Sequence, residues 1–363
     1  MRFKHALSLA LALATTAATT TTITSIILTS GAGSLPSCRA GDAGWIRAGI
    51  NTNAPHWGLK SGLQWAIPPG GFLRNEPRGL IRLAYPTLPD GSVDLINFIA
   101  VEPVVGNHKG FSELEPSDLD HKQGKRIWAV PDASKSTSNS GPDRLVSGRL
   151  FQDGTNGECL EVLLKVERFL NGAEATLRAR QWASRPDELE LTVDAAEHSA
   201  TMEYCILTAT MGNRARTREL WLAGGVARSL ELFADYRESG FAPHAEFGVN
   251  KLFHPTPGSV LVAVTTDEEH PEQQFPFPGS KSWHYGGAAV TQYWRKPEGS
   301  LRPDCRALVN GRYVYWMSGT KIPGGIAFEN FELRERFHPG QTFVFGITKR
   351  TPRELGFTPD AKR

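Results

Sequence analysis

The chain has 363 residues, 40% of them hydrophobic and 21% charged, with a formal net charge of +2. That balance is ordinary for a globular fold. It gives no electrostatic basis for binding nucleic acid or an acidic membrane surface. Four cysteines spread over such a length exclude a disulfide-framework protein.

The first residues, Met1-Arg2-Phe3-Lys4-His5, are basic, and an uncharged, mostly apolar run follows from Ala6 into Thr-rich sequence ending at Ile26-Ile27-Leu28. This is the layout of a secretory signal, and it predicts an extracytoplasmic protein: secreted, periplasmic or held at the cell envelope. A retained N-terminal anchor is the alternative, since the uncharged stretch reaches membrane length. Leu35-Pro36-Ser37-Cys38 is similar to a bacterial lipoprotein cleavage site, with Pro36 in place of the usual small residue. A lipid on Cys38 would tether the protein to a membrane. Residues 1–38 are thus read as a signal and 39–363 as one large domain, interrupted by a polar, turn-rich loop near 131–143.

Further along, Asn97 to Val101 forms an apolar run that ends in Glu102-Pro103. A glutamate at a buried strand end is an acid–base candidate, though it can equally pair with an arginine. Glu113, Glu115, Asp118 and Asp120 then crowd beside His121. Their spacing fits no calcium loop, and a solvated acidic loop is the simpler reading.

From Leu160 to Val166, and again from Ala175 to Arg180, apolar and polar residues alternate, with Asn171-Gly172 between them. That arrangement predicts a β-hairpin. The same device is expected at Asn310-Gly311, before Arg312 to Trp316. Strands are also expected over 189–193, 202–208, 260–264 and 343–347. Only Ala227 to Tyr236 has helical spacing, with a turn at Asp118 to Lys122. The fold class is therefore all-β, a large antiparallel β-sandwich with few short helices. Cys159, Cys205 and Cys305 match no metal spacing and read as small buried residues, with a disulfide as the alternative.

Phosphate loops, dinucleotide turns, zinc-protease histidine pairs and the Gly-x-Ser-x-Gly elbow are all missing from the sequence. No cofactor or metal is expected. What remains is a carboxylate, histidine and aromatic chemistry. Lys281-Ser282-Trp283-His284-Tyr285 offers an aromatic wall with a polar group, suited to stacking on a sugar ring. Pro323-Gly324-Gly325 leads into an apolar segment around Glu329, which on its own residues reads as an edge hairpin with a solvated glutamate.

Gly325-Ile326-Ala327-Phe328-Glu329-Asn330, followed by Pro339-Gly340-Gln341 before a final strand, resembles the end of galactose mutarotase-like (aldose epimerase) proteins. The resemblance implies a large β-sandwich with a saccharide cleft and makes Glu329 the catalytic base; Gln341 replaces the family's usual turn acid. It matches the family's catalytic histidine to His244 in His244-Ala245-Glu246-Phe247, without the middle aromatic, and an early arginine to Arg78. It implies that His244 protonates the ring oxygen while Glu329 takes the anomeric proton. The expected partner is a saccharide or polysaccharide, with Glu102, Trp283, His284 and Arg78 binding it. Hydrolysis or elimination in the same cleft, and a non-catalytic glycan-binding or envelope role, are the alternatives.

Overall fold

Alternation decides the architecture. Leu160, Val162 and Leu164 are buried on one side of their strand while Glu161 and Lys165 face the other, so each strand has one face to hide. The computed structural model describes residues 44–72, 77–87, 92–131, 141–210, 216–267, 290–316 and 319–358. Residues Asp42–Arg363 form one compact unit. The signal with Cys38, most of the 131–143 loop, and Trp283 with His284 lie outside the described residues.

The strands in chain order are β1 (Trp45–Ile46), β2 (His56–Leu59), β3 (Gln64–Ala66), β4 (Leu80–Tyr85), β5 (Asp94–Val105), β6 (His108–Lys109), β7 (Ile127–Val130), β8 (Arg149–Asp153), β9 (Gly157–Val166) and β10 (Ala175–Trp182). They continue as β11 (Glu188–Ala195), β12 (Tyr204–Thr210), β13 (Thr217–Leu222), β14 (Gly225–Arg228), β15 (Ala245–Gly248), β16 (Val260–Thr266), β17 (Thr291–Lys296), β18 (Arg306–Arg312), β19 (Ala327–Arg334) and β20 (Gln341–Thr348).

Two ten-stranded antiparallel sheets result. The first runs β1-β2-β3-β4-β5-β12-β19-β18-β15, with β6 on β5. The second runs β14-β13-β16-β17-β20-β11-β10-β9-β7, with β8 on β9. Ile99, Val101, Leu207, Phe331 and Val309 of the first sheet meet Leu164, Leu177, Leu191, Phe345 and Trp294 of the second in one hydrophobic core. Each such side chain contributes about 1.5–3 kcal/mol by leaving water. Polar contacts cross this layer as well. The Trp294 indole N–H donates to the Phe331 carbonyl at 2.8 Å, the Asn97 amide to Gln292 Oε1 at 2.5 Å, and the Gln341 amide to the Cys205 carbonyl at 2.6 Å. Gly346 has no side chain because the Tyr293 ring lies over it, 2.0 Å from where a Cβ would stand. An all-β sandwich is thus the fold.

The hairpin at Asn171-Gly172 is present, with Gly172 at φ +84° and β9 paired to β10. The helix expected over Ala227–Tyr236 is not. Gly225–Arg228 is strand, and a single helical turn, α1 (Ser229–Leu232), follows. Pairing of Glu219 to Leu222 with Gly225 to Arg228 outweighs a weak helical spacing. Cys159, Cys205 and Cys305 are free, buried thiols. Among the described residues no helix is long and apolar enough to cross a membrane.

Candidate functional site

The second Asn-Gly is not a turn. Asn310 and Gly311 lie within β18, and the pairing with β19 slips there: Val309 opposes Phe331, but Gly311 opposes Phe328. Two residues of β19, Glu329 and Asn330, therefore face the single Asn310, which is a β-bulge. Its effect on side-chain direction is decisive. Leu333 and Phe331 point into the core, and unbroken alternation would send residue 329 there too. Instead Phe328 takes the core position, and Glu329 is turned out beside Asn330. The bulge also frees a backbone N–H. Asn310 satisfies it, its Oδ1 accepting from Asn330 N at 3.0 Å.

Outward here does not mean solvated. β19 lies inside the sheet between β12 and β18, so it is no edge strand, and Glu329 is only 4% exposed. Among the described residues nothing forms a hydrogen bond or ion pair with its carboxylate. Burial pushes its pKa up to about 7, with Arg312 opposing and Glu113 adding to the rise. Arg312 is itself buried, its guanidinium beside the adjoining rings of Phe241 and Trp316, 4.9 and 4.7 Å from their centroids. It also donates to the carbonyls of Val314 and Ser239. Phe241 is 42% exposed.

Glu113 comes from the loop after β6, and Gly79 lets that loop approach the sheet. At φ +74°, with the Ser112 carbonyl 1.8 Å from where a Cβ would stand, only glycine fits. Ser112 then donates to the Gly79 carbonyl at 2.5 Å and accepts from Val101 N at 2.8 Å. Fixed in this way, Glu113 is half-buried, and burial, followed by the nearby charge of Glu102, raises its pKa to about 7. Among the described residues it too has no hydrogen bond or ion pair.

Glu102 on β5 is 6% exposed, and Lys109 Nζ stands 2.5 Å from its Oε2. Its partner is thus a lysine rather than an arginine. Thr208 of β12 reaches both Glu102 and Glu332. His244, just before β15, completes the row. Because the Asn310 oxygen is engaged by Asn330, its amide nitrogen must face His244 and donate to Nε2, 3.3 Å away. That contact needs a neutral imidazole with its proton on Nδ1. Crowding by protein atoms, even with much of the ring accessible, and then the charge of Lys109 hold the histidine's pKa below its ordinary value. His244 also lines a groove of about 540 Å³ with Phe233, Asp235 and Tyr236.

Glu102 acts on His244 and Glu113, Glu113 acts on Glu329, and Asn310 links His244 to the bulge, so these groups share the outer face of the first sheet. Arg78 is used elsewhere: it grips both oxygens of Asp120 and donates to the Lys122 carbonyl. The acidic segment is not a solvated loop throughout. Glu115 receives the backbone N–H groups of Phe111 and Leu170, and Asp120 holds Arg78. Thr208 and Glu332 carry no residue-pattern signal; Glu113 reads as part of a solvated acidic loop, and Asn310 and Arg312 as part of a hairpin. The one available signal was Asn-Gly inside an apolar run, which marks a bulge as well as a turn. Among the described residues no group of three or more His, Cys, Asp or Glu side chains is disposed to hold a metal ion. No family model matches this chain, and no curated protein matches it.

Proposed function

We propose that this is an exported carbohydrate-active enzyme that moves protons on a saccharide at the outer face of the first sheet. The observation that carries the reading is Glu329: a buried carboxyl, aimed out of the core by a bulge, with no protein partner among the described residues and a pKa of about 7. Leaving such a group unpaired is costly unless a ligand uses it. Glu113, also near 7, supplies the second member of the pair. Near neutrality two interacting carboxyls of this kind hold one proton and one charge, which is the state an acid–base pair needs.

The roles differ from those the mutarotase resemblance implies. There the histidine is the acid. Here His244 Nε2 accepts from Asn310, which leaves Nδ1–H to donate to a ligand as a neutral hydrogen-bonding group. Protonating a sugar oxygen falls to whichever of Glu329 and Glu113 holds the proton, and the ionised one takes the hydroxyl proton. Phe241 and Trp316 provide apolar faces for a sugar ring beside Arg312. Export, and tethering through Cys38, belong to the same proposal and rest on the first 38 residues.

The test uses purified protein. Anomer exchange of galactose and glucose is followed by NMR, and reducing-end release from a panel of polysaccharides by colorimetry. Glu329→Gln is expected to lower the rate about 10²–10⁴-fold with folding unchanged; an unchanged rate sinks the assignment. A non-catalytic glycan-binding role is favoured by the exposed Phe241 alone. It predicts polysaccharide affinity that falls in Phe241→Ala and ignores Glu329→Gln.

A further inference from the structure

Thr208 makes two contacts that its hydroxyl cannot satisfy with a single proton. Its Oγ1 lies 2.7 Å from Glu102 Oε2 and 2.6 Å from Glu332 Oε2. A hydroxyl has one proton to donate, and an ionised carboxylate can only accept. With both glutamates ionised, one of the two short contacts would bring bare oxygens together. One carboxyl must therefore donate to Thr208. Lys109 Nζ sits 2.5 Å from the same Oε2 of Glu102 that Thr208 reaches, which fixes charge on Glu102. Glu332 is 1% exposed and, among the described residues, forms no ion pair. It is the carboxyl that holds the proton.

We infer that Glu332, Thr208 and Glu102 form a proton-sharing chain across β19, β12 and β5, with Glu332 protonated at rest, and that Glu102, the charged end of the chain, is a positioning residue that favours the proton on nearby Glu113. The step balances: the Glu332 proton passes to Thr208 Oγ as the Thr208 proton passes to Glu102 Oε2. The net change moves one proton, and one negative charge, between the two carboxyls. Charges facing the chain come from every neighbouring element. Lys109 on β6, Arg334 on β19 and Glu246 on β15 act on Glu332; Lys109 and Glu332 act on Glu102. Glu102 in turn acts on Glu113, His244 and the Cys205 thiol. Moving charge from Glu102 to Glu332 therefore weakens the rise at Glu113. The role in turnover rests on the proposed acid–base function, whereas the proton count does not.

Infrared difference spectra of the full chain at neutral and mildly alkaline pH test the proton count without any saccharide. Glu332→Gln replaces a neutral acid by a neutral amide. The wild-type-minus-variant spectrum is expected to show the loss of one protonated-carboxyl C=O band. Loss confined to the ionised-carboxylate bands overturns the inference. Should that variant not fold, Thr208→Val keeps both acids. It is expected to shift the protonated band upward because the hydroxyl partner is gone, and an unmoved band overturns it equally. Carbon NMR of the Glu113 carboxyl tests positioning: Glu102→Gln is expected to lower its titration midpoint, and an unmoved midpoint removes Glu102 from that role. Failure of saccharide turnover with these spectra as expected would count against the function alone.

Discussion

The outer faces of the two sheets use the same residue types in opposite ways. On the second sheet Glu161 meets Arg149 at 2.8 Å, Arg180 at 2.7 Å and Arg178 at 3.7 Å. Glu188 pairs with Arg295, and Glu219 with Arg228 at 3.0 Å. Burial works against ionisation of Glu161, but hydrogen bonds and charge from Arg180 and Arg149 outweigh it and hold its pKa below the usual carboxylate range. On the first sheet four glutamates, Glu102, Glu113, Glu329 and Glu332, are all raised instead. The difference is cation supply. On the second sheet Arg149 and Arg180 stand opposite Glu161, and Arg228 opposite Glu219, whereas Lys109, Arg312 and Arg334 are the local cations for the four glutamates of the first. The Glu161 cluster is neutralised by pairing, whereas burial holds protons on the four glutamates of the first sheet and also raises Glu190 on the second.

The widest test of this contrast is stability against pH. Glu329 has a folded pKa near 7 against an ordinary 4.5, so its contribution is fully present below about 4.5 and is lost as pH rises through 7. The size is about 3 kcal/mol. Glu329→Gln is expected to remove that alkaline loss in urea melts at pH 5 and pH 9. Equal stability losses in wild type and variant would show Glu329 to be solvated. Glu161 has the opposite sign: its stabilisation is present above about 4.5 and is lost as pH falls through its lower folded value. Glu161→Ala leaves three arginines crowded without their counter-ion and is expected to cost about 2 kcal/mol at pH 7. No loss would mean that the arginines are held apart by water.

Packing gives a test of comparable size that ignores charge. Gly346→Ala puts a methyl into the Tyr293 ring and is expected to cost about 1–3 kcal/mol by thermal or urea melts, independent of pH. The smallest effect concerns His244. Asn310→Ala removes the donor that fixes its tautomer, and its titration by proton NMR is expected to move up toward the ordinary value. A midpoint that stays put would show burial alone to be responsible.

Much of the fold was legible in the residues. Period-two patterning located β9, β10, β11, β12, β16 and β20, because each buries one face in a common core. Asn171-Gly172 marked its hairpin for the same local reason. The site was legible only in part. Glu329, Glu102 and His244 stand out in the residues as candidates, but Asn310-Gly311 reads as a turn because the dipeptide's preference is the same for a tight turn and for a bulge partner. Glu113 was grouped with Glu115 and Asp120 because four nearby acids look alike until Gly79 seats one of them on the sheet. Arg78 pairs with Asp120, and nothing local in the sequence reveals that contact. Long-range pairing decided each of these cases.

The bulge at Glu329 and Asn330 acts as a reading-frame shift written into a strand. Downstream of it, from Phe331 to Leu333, the phase is set by the core; upstream, Phe328 is in the other phase. Adding one residue beside Asn310 in β18 would restore regular pairing and turn Glu329 into the apolar layer, while leaving every residue of β19 unchanged. At this point in the chain it is the count of residues, more than their identity, that descendants of this sequence must preserve.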